Sequence, residues 1–268
     1  MRRDTLWLSC LALPAGAFFA AFFLLPLARL FLAGGGVIAY ASILTDRTYV
    51  SSLIVTLALA AATTGATLII SGIAGVFLQR NAFLGRDALI AMLTLPLAFP
   101  GVVVGFLVIV LAGRQGLIGD VTVALTGERV VFAYSMAGLF MGYVYFSIPR
   151  TILTVMATAE KLDPRLEEAA RSLGAAPWQV LRDCIIPGLK PALLSAGAIC
   201  FATAMGAFGT AFTLATRINV LAMVIYTEFT LQANIALAAA LSFVLGAVTW
   251  AVLAAARTAA GGTVAAAG

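Results

Sequence analysis

From Tyr49 to Leu78 the chain reads YVSSLIVTLALAAATTGATLIISGIAGVFL, thirty residues without a charge. A hydrocarbon core about 30 Å thick needs about 20 apolar residues in helix, so this stretch alone is long enough to cross a bilayer. In lipid each backbone must satisfy its own hydrogen bonds, which favours helix over any open form. The period-2 alternation of a membrane β-strand is absent from it. Working outward, five further runs have the same character: roughly 6–32, 88–112, 130–157, 191–215 and 234–256. Arg29 and Arg150 are the charges within these runs, each towards the close of its run.

Composition agrees with that reading. Of 268 residues, 63% are hydrophobic and 10% charged, where soluble domains have about 25% charged. Mean hydropathy is +1.09. Disorder is excluded, because disordered chains are rich in charge and poor in large apolar residues. The sequence has no His, which removes the commonest general base and metal ligand. Cys10, Cys184 and Cys200 show no metal or redox spacing and read as small packing residues. No basic cluster interleaved with aromatics suggests nucleic acid. Arg2 and Arg3 precede the first run, but that run exceeds the apolar core of a cleavable signal peptide. Ala15-Gly16-Ala17 also lies inside it, so an uncleaved signal anchor is expected.

Six spans put both termini on one side. With a cytoplasmic N-terminus, the inner set is Arg2, Arg3, Arg80, Arg86, Arg150, Lys161, Arg165, Arg171, Arg182, Lys190 and Arg257. The outer set is only Arg29, Arg47, Arg114, Arg129 and Arg217. The positive-inside rule therefore predicts cytoplasmic ends. Outer loops are expected at 33–48, 113–129 and 216–233. Of the inner connections, 79–87 is short and 158–190 is long and charged.

The long connection carries the most information. From Glu160 to Pro187 it reads EKLDPRLEEAARSLGAAPWQVLRDCIIP. Asp163 is a good N-cap and Pro164 suits the first helical position. Glu167 sits near the positive helix end, Arg171 follows it at i+4, and Gly174 fits a left-handed closing residue. Pro177 opens a second short helix, which Pro187 is expected to end. The prediction is a helix-turn-helix at the membrane surface, with Ala169, Ala170, Ala175 and Ala176 leaving little bulk about the turn. Two readings of it stand on local grounds: a solvated amphipathic loop, or a surface that inserts into a groove on another protein.

The order Glu168-Ala169-Ala170, three residues, Gly174, and then Pro187 resembles the EAA loop of binding-protein-dependent ABC importer permeases. The family pattern continues with nine residues, Ile, one residue and Leu-Pro, and this chain has Cys184 and Ile186 at those two apolar positions. Leu95-Pro96 through Pro100-Gly101 and Gly105 is similar to the Pro-rich third span of polyamine, ferric iron and sulfate permeases. Ile148-Pro149-Arg150 resembles the end of the span leading into the EAA loop. Ala204-Met205-Gly206-Ala207-Phe208-Gly209 lies where many relatives have Gly-Glu-Phe, with Ala207 in the Glu position. The block from Phe208 to Trp250 most resembles spermidine/putrescine permeases.

This resemblance implies an all-α, six-span type I ABC importer permease fold over 1–268, with 160–187 as the coupling loop. It implies a bacterial inner-membrane protein. The coupling residues would be Glu167, Glu168, Ala169, Ala170, Gly174, Ala175, Pro177 and Pro187, with Glu168 meeting a basic residue of a separate ATPase. The implied partners are two ATPase copies, a second permease expected to be a paralogue, and an extracytoplasmic binding protein. The implied substrate is a polyamine or similar small organic solute, with ferric iron, sulfate, thiamine and aminoalkylphosphonate as alternatives. The chain itself has no P-loop, because its only lysines, Lys161 and Lys190, precede Leu162 and Pro191. No cofactor is therefore expected in this chain, ATP-Mg being bound by the partner.

Two other classes fit less well. An ion-coupled transporter or channel usually carries ionisable groups inside its spans. The second, third, fifth and sixth runs have none, and Arg29 and Arg150 read as span-end residues. An intramembrane enzyme needs an activated nucleophile, and with no His and no buried acid none is expected. For the path, the candidates are Pro96, Pro100, Phe208, Thr210, Thr213, Tyr226 and Glu228. Two readings of the prolines stand: a packing kink, or carbonyls freed towards a cavity. Gly101 with Gly105, and Gly138 with Gly142, read as faces for close helix packing. Glu228 reads first as a solvated loop carboxylate, and second as a group that attracts a cationic substrate or meets a binding protein.

Overall fold

The computed structural model describes residues 13–214 and 218–259. The start of the first predicted span, the end of the fifth at 215, and the calls on Arg2, Arg3, Cys10 and Arg217 lie outside them. Among the described residues the regular structure is entirely helical. The elements are α1 (Leu13–Ala33), α2 (Val37–Thr45), α3 (Arg47–Arg80), α4 (Arg86–Thr94) and α5 (Gly101–Ala112). After them come α6 (Leu117–Thr126), α7 (Met136–Ala159), α8 (Pro164–Ser172) and α9 (Pro177–Met205). The last three are α10 (Phe208–Leu214), α11 (Leu221–Thr230) and α12 (Ile235–Ala259). Six helical stretches are long and apolar enough to cross a membrane, which makes this a multi-pass membrane protein.

The decisive stretch is the interior of α3, a single helix that Asp46 caps by accepting from the Thr48 amide at 2.7 Å. Its buried stripe is Ser52, Thr56, Leu59, Ala60, Thr63, Thr67, Ser71, Gly75 and Leu78. Small and hydroxylated residues at helical spacing let α7 approach closely. A Cβ on Gly75 would stand 2.8 Å from a Val155 methyl group. Helices α3, α7 and α9 pack mutually, and α12 closes the bundle against α9, α11 and α1.

The third crossing departs from expectation. The run 88–112 is not one helix: α4 ends at Thr94, Leu95–Ala98 form a 3-10 turn, and Phe99 is extended before α5 starts. Pro96 and Pro100 each lack an amide hydrogen, and Pro100 also disfavours helix at Phe99. Helix α5 alone is about 18 Å long, whereas α4, the turn and α5 together reach about 40 Å, enough to cross. The apolar stretch Gly101–Thr126 does not cross as one unit. It breaks after Ala112, whose carbonyl accepts from the Phe132 and Ala133 amides at 3.2 and 3.1 Å, beside the start of α7.

The fifth crossing also differs. Pro187 does not end a helix: α9 runs through it from Pro177, by way of a π-turn at Leu181–Ile185. Within that turn the Ile186 amide reaches the Leu181 carbonyl, five residues back, so the backbone is already widened where the proline ring enters. The helix of this crossing ends at Met205, with Gly206 as its cap, rather than continuing to 215, and α10 is a separate helix. The connections expected as loops at 33–48, 113–129 and 216–233 contain α2, α6 and α11. Six crossings place the start of α1 and the end of α12 on the face that carries α8.

Candidate functional site

Three sites stand out. The first is α8 and its turn. Asp163 Oδ1 accepts from the Arg165 amide at 3.0 Å, as an N-cap should. At the other end Gly174 has φ +86°. Its amide reaches the Arg171 carbonyl at 2.9 Å, and the Ala175 amide reaches Ala170 at 3.0 Å. This pair of bonds is a Schellman closure, which needs a left-handed residue in the position Gly174 holds. Pro177 then opens α9, and the Gln179 side chain accepts from the Ala176 amide at 2.7 Å.

The structure separates the two glutamates. Glu168 is exposed, whereas Glu167 is largely buried and forms an ion pair with Arg80 at the end of α3. The expected i+4 pairing of Glu167 with Arg171 is therefore replaced by a tertiary one. Ala169 is exposed and Ala170 and Ala175 are half-buried, while Pro187 is exposed on α9 beyond the turn. The surface is not the low-bulk one expected from the alanines. Leu166, Leu173 and Trp178 are 65%, 89% and 63% exposed around Glu168 and Gly174. The sequence signal for this surface is the large apolar residues Leu166, Leu173 and Trp178 placed about the alanines.

The second site is the place where two broken crossings meet. Pro96 is buried and Pro100 exposed. The start of α5 lies against α10: Thr210 Oγ1 donates to the Gly101 carbonyl at 2.9 Å, and Tyr143 OH donates to the Ala207 carbonyl at 2.7 Å. Thr213 Oγ1 donates back to the Thr210 carbonyl at 3.0 Å and stands where a Cβ on Gly105 would be. Gly142 allows the same closeness, since its Cβ would be 2.8 Å from the Thr210 methyl group. Beside the junction is a cleft of about 220 Å³, lined by Gly101, Tyr143, Ser147, Thr203, Gly206 and Thr210 among others. Among the described residues no carboxylate lines it.

This cleft continues into a narrower groove between α7 and α9, lined by Phe146, Ser147, Arg150, Thr151, Thr154 and Thr203 among others. Arg150 is nine residues from the end of α7, about 13 Å along its axis. The signal was present: Ser147, Thr151, Thr154 and Thr158 recur every three or four residues, a hydroxyl stripe at helical period with Arg150 beside it.

The remaining path candidates lie elsewhere. Phe208, Phe212 and Tyr226 form an aromatic cluster with centroids 5.3–5.6 Å apart. Glu228, two residues on from Tyr226, is 4% exposed and accepts from Tyr49 OH at 2.9 Å, so it is not a solvated loop carboxylate. It helps line a third site, a cleft of about 430 Å³ on the face opposite α8, with Asp46, Tyr49 and Asn219.

Residues 68–259 match the family model described as "Binding-protein-dependent transport system inner membrane component". Among individual proteins, the chain is 32% identical over 183 residues to "Sulfate permease 2, chloroplastic" of Chlamydomonas reinhardtii, covering 68% of this chain and 49% of that one. It is 35% identical over 141 residues to "Molybdenum transport system permease protein ModB" of Escherichia coli (strain K12), covering 53% of this chain and 61% of that protein. The matches thus span about half to three fifths of those relatives. In fold, it resembles a chain of a bacterial alginate ABC transporter crystallised with an alginate pentasaccharide-bound periplasmic protein. That match has a TM-score of 0.83 at 18% identity and covers 98% of this chain and 96% of the other. Taken with six crossings and two broken spans, the family match assigns the chain to the binding-protein-dependent transport system inner membrane components, the permease subunits of ABC transporters.

Proposed function

We propose that the chain is one permease half of an ATP-driven importer in a bacterial inner membrane, with α8 facing the cytoplasm. The observation that carries this reading is the turn at Gly174. It is locked by two backbone bonds and presents Glu168, Leu166, Leu173 and Trp178 to solvent beyond the bundle. Such a rigid, partly apolar surface at the end of two crossings suits insertion into a cleft of a cytoplasmic ATPase. Two ATPase copies bind ATP-Mg and close, the loops are drawn together, and the broken spans rearrange to open the path on alternate sides. A second permease, expected to be a paralogue, supplies the other half of the path. An extracytoplasmic binding protein delivers substrate to the opposite face.

For the substrate we favour a small oxyanion of the sulfate or molybdate kind over a polyamine. The two named relatives are sulfate and molybdenum permeases by name. The cleft at the junction combines apolar side chains (Phe146, Ala204, Ala207) with hydroxyls and glycine backbone and has no carboxylate among the described residues, whereas ammonium groups in a dry path call for carboxylate partners. The test is uptake by the reconstituted complex with its binding protein. ATP-dependent accumulation of sulfate or molybdate, with none of spermidine, is expected. Spermidine uptake without oxyanion uptake would reverse the substrate reading.

A further inference from the structure

Arg150 is a charged residue within α7, one of the helices long and apolar enough to cross a membrane, about 13 Å along the axis from its end. It lies on the exposed side of α7 and forms no ion pair with any described residue. Between Met136 and Ala159, and between Ile186 and Met205, the sequence contains no acid, so neither helix flanking the groove supplies a counter-ion within the crossing. An unpaired charged side chain at such depth is tolerated where it faces a water-filled cavity, and there it marks a pathway. Ser147 stands one turn above it, 8% exposed, lining both the groove and the junction cleft, and its hydroxyl makes no hydrogen bond to any described residue. Thr151, Thr154 and Thr203 donate to helix carbonyls, so their oxygens face the groove mainly as acceptors. Among the described lining residues the strong donors left free are thus Ser147 and the guanidinium, with the weakly donating Cys200 thiol beside them.

We propose that Arg150, assisted by Ser147, forms an anion-selective station on the cytoplasmic side of the junction, taking a small tetrahedral oxyanion between the break and release. The proposal rests on the permease reading above and deepens it. A guanidinium offers paired donors matched to two oxygens of such an anion. Its exposure keeps the site weak enough to release, as a conducting site must. Cations are repelled at the same point.

The direct test reads local charge preference without needing transport. The complete complex, in proteoliposomes, carries Thr203→Cys with Cys10→Ala, Cys184→Ala and Cys200→Ala. It is treated with an anionic sulfonatoethyl thiosulfonate and with its trimethylammonium counterpart. Relative to a free thiol, the anionic reagent should gain roughly tenfold over the cationic one. That preference should vanish in Arg150→Gln and persist in Arg150→Lys. A ratio indifferent to Arg150 overturns the proposal, whatever the importer carries. In a complex that transports sulfate, Arg150→Gln should lower uptake by about tenfold, with complex yield and ATP hydrolysis unchanged. Undiminished uptake overturns the proposal. So does a loss of assembly in both the Gln and Lys variants, which would make Arg150 an interface residue.

Discussion

Arg80 and Glu167, 87 positions apart in sequence, form an ion pair that ties the end of α3 to α8, and their side chains are only 24% and 14% exposed. The pair links α8 directly to α3, the longest helix among the described residues. Hydrogen bonds to charged groups contribute about 1.5–3 kcal/mol, so either Arg80→Ala or Glu167→Ala should loosen α8. Uptake per ATP hydrolysed should fall several-fold in each. The exchange Arg80→Glu with Glu167→Arg should recover much of it. Full coupling in both single variants would show that the pair transmits nothing.

Gly174 is a conformational requirement rather than a spatial one. Nothing lies within 4 Å of a Cβ built there, yet φ is +86°. A side chain in this region costs about 1–2 kcal/mol, with Asn the best tolerated. Gly174→Ala and Gly174→Val should both weaken coupling, and Gly174→Asn should weaken it least. Measured ATP-driven uptake following that order supports the closure described; an order set by side-chain volume contradicts it.

Gly105 is the opposite case. A methyl group there would collide with the Thr213 hydroxyl. Gly105→Ala should push α5 from α10 and lower thermal stability in detergent, by roughly 1–3 kcal/mol as for other overpacked cores. The double variant Gly105→Ala with Thr213→Ala removes the nearest colliding atom but leaves the residue 213 Cβ 2.8 Å away, so it should restore part of that loss. Stability of the double variant no better than Gly105→Ala would place the strain elsewhere.

The Tyr49–Glu228 bond joins α3 to α11, and the second Glu228 oxygen has no partner among the described residues. Tyr49→Phe leaves the carboxylate with neither oxygen bonded, so a loss of about 1–3 kcal/mol in stability is expected. Glu228→Gln keeps an acceptor for Tyr49 and should retain most of the uptake. Abolished uptake in a well-assembled Glu228→Gln complex would instead place this carboxylate on the substrate path.

Much of this architecture could be read locally. The uncharged run through α3, the Asp163 cap and the Gly174 turn each follow from short-range chemistry, and the helices appear where those signals lie. Prolines were harder to read, because their effect depends on what surrounds them. Pro100 breaks a crossing beside an extended Phe99, whereas Pro187 and Pro191 sit inside α9, where a π-turn precedes the first. Glu228 carried no local sign of burial, since its partner is 179 residues away. Apolarity alone does not fix the depth of Arg150, since the run continues seven residues past it to 157. The helix in fact continues nine residues beyond it to Ala159.

The central claim is that this chain takes hold of an external ATPase through the turn between α8 and α9. The measurement is purification of the tagged chain from mild detergent, with the wild type compared with Glu168→Lys and Gly174→Val at equal membrane yield. The account predicts an ATPase subunit co-purifying with the wild type and largely lost from both variants. ATPase recovered equally with all three, or a wild-type chain that moves substrate with no ATPase attached, would contradict it.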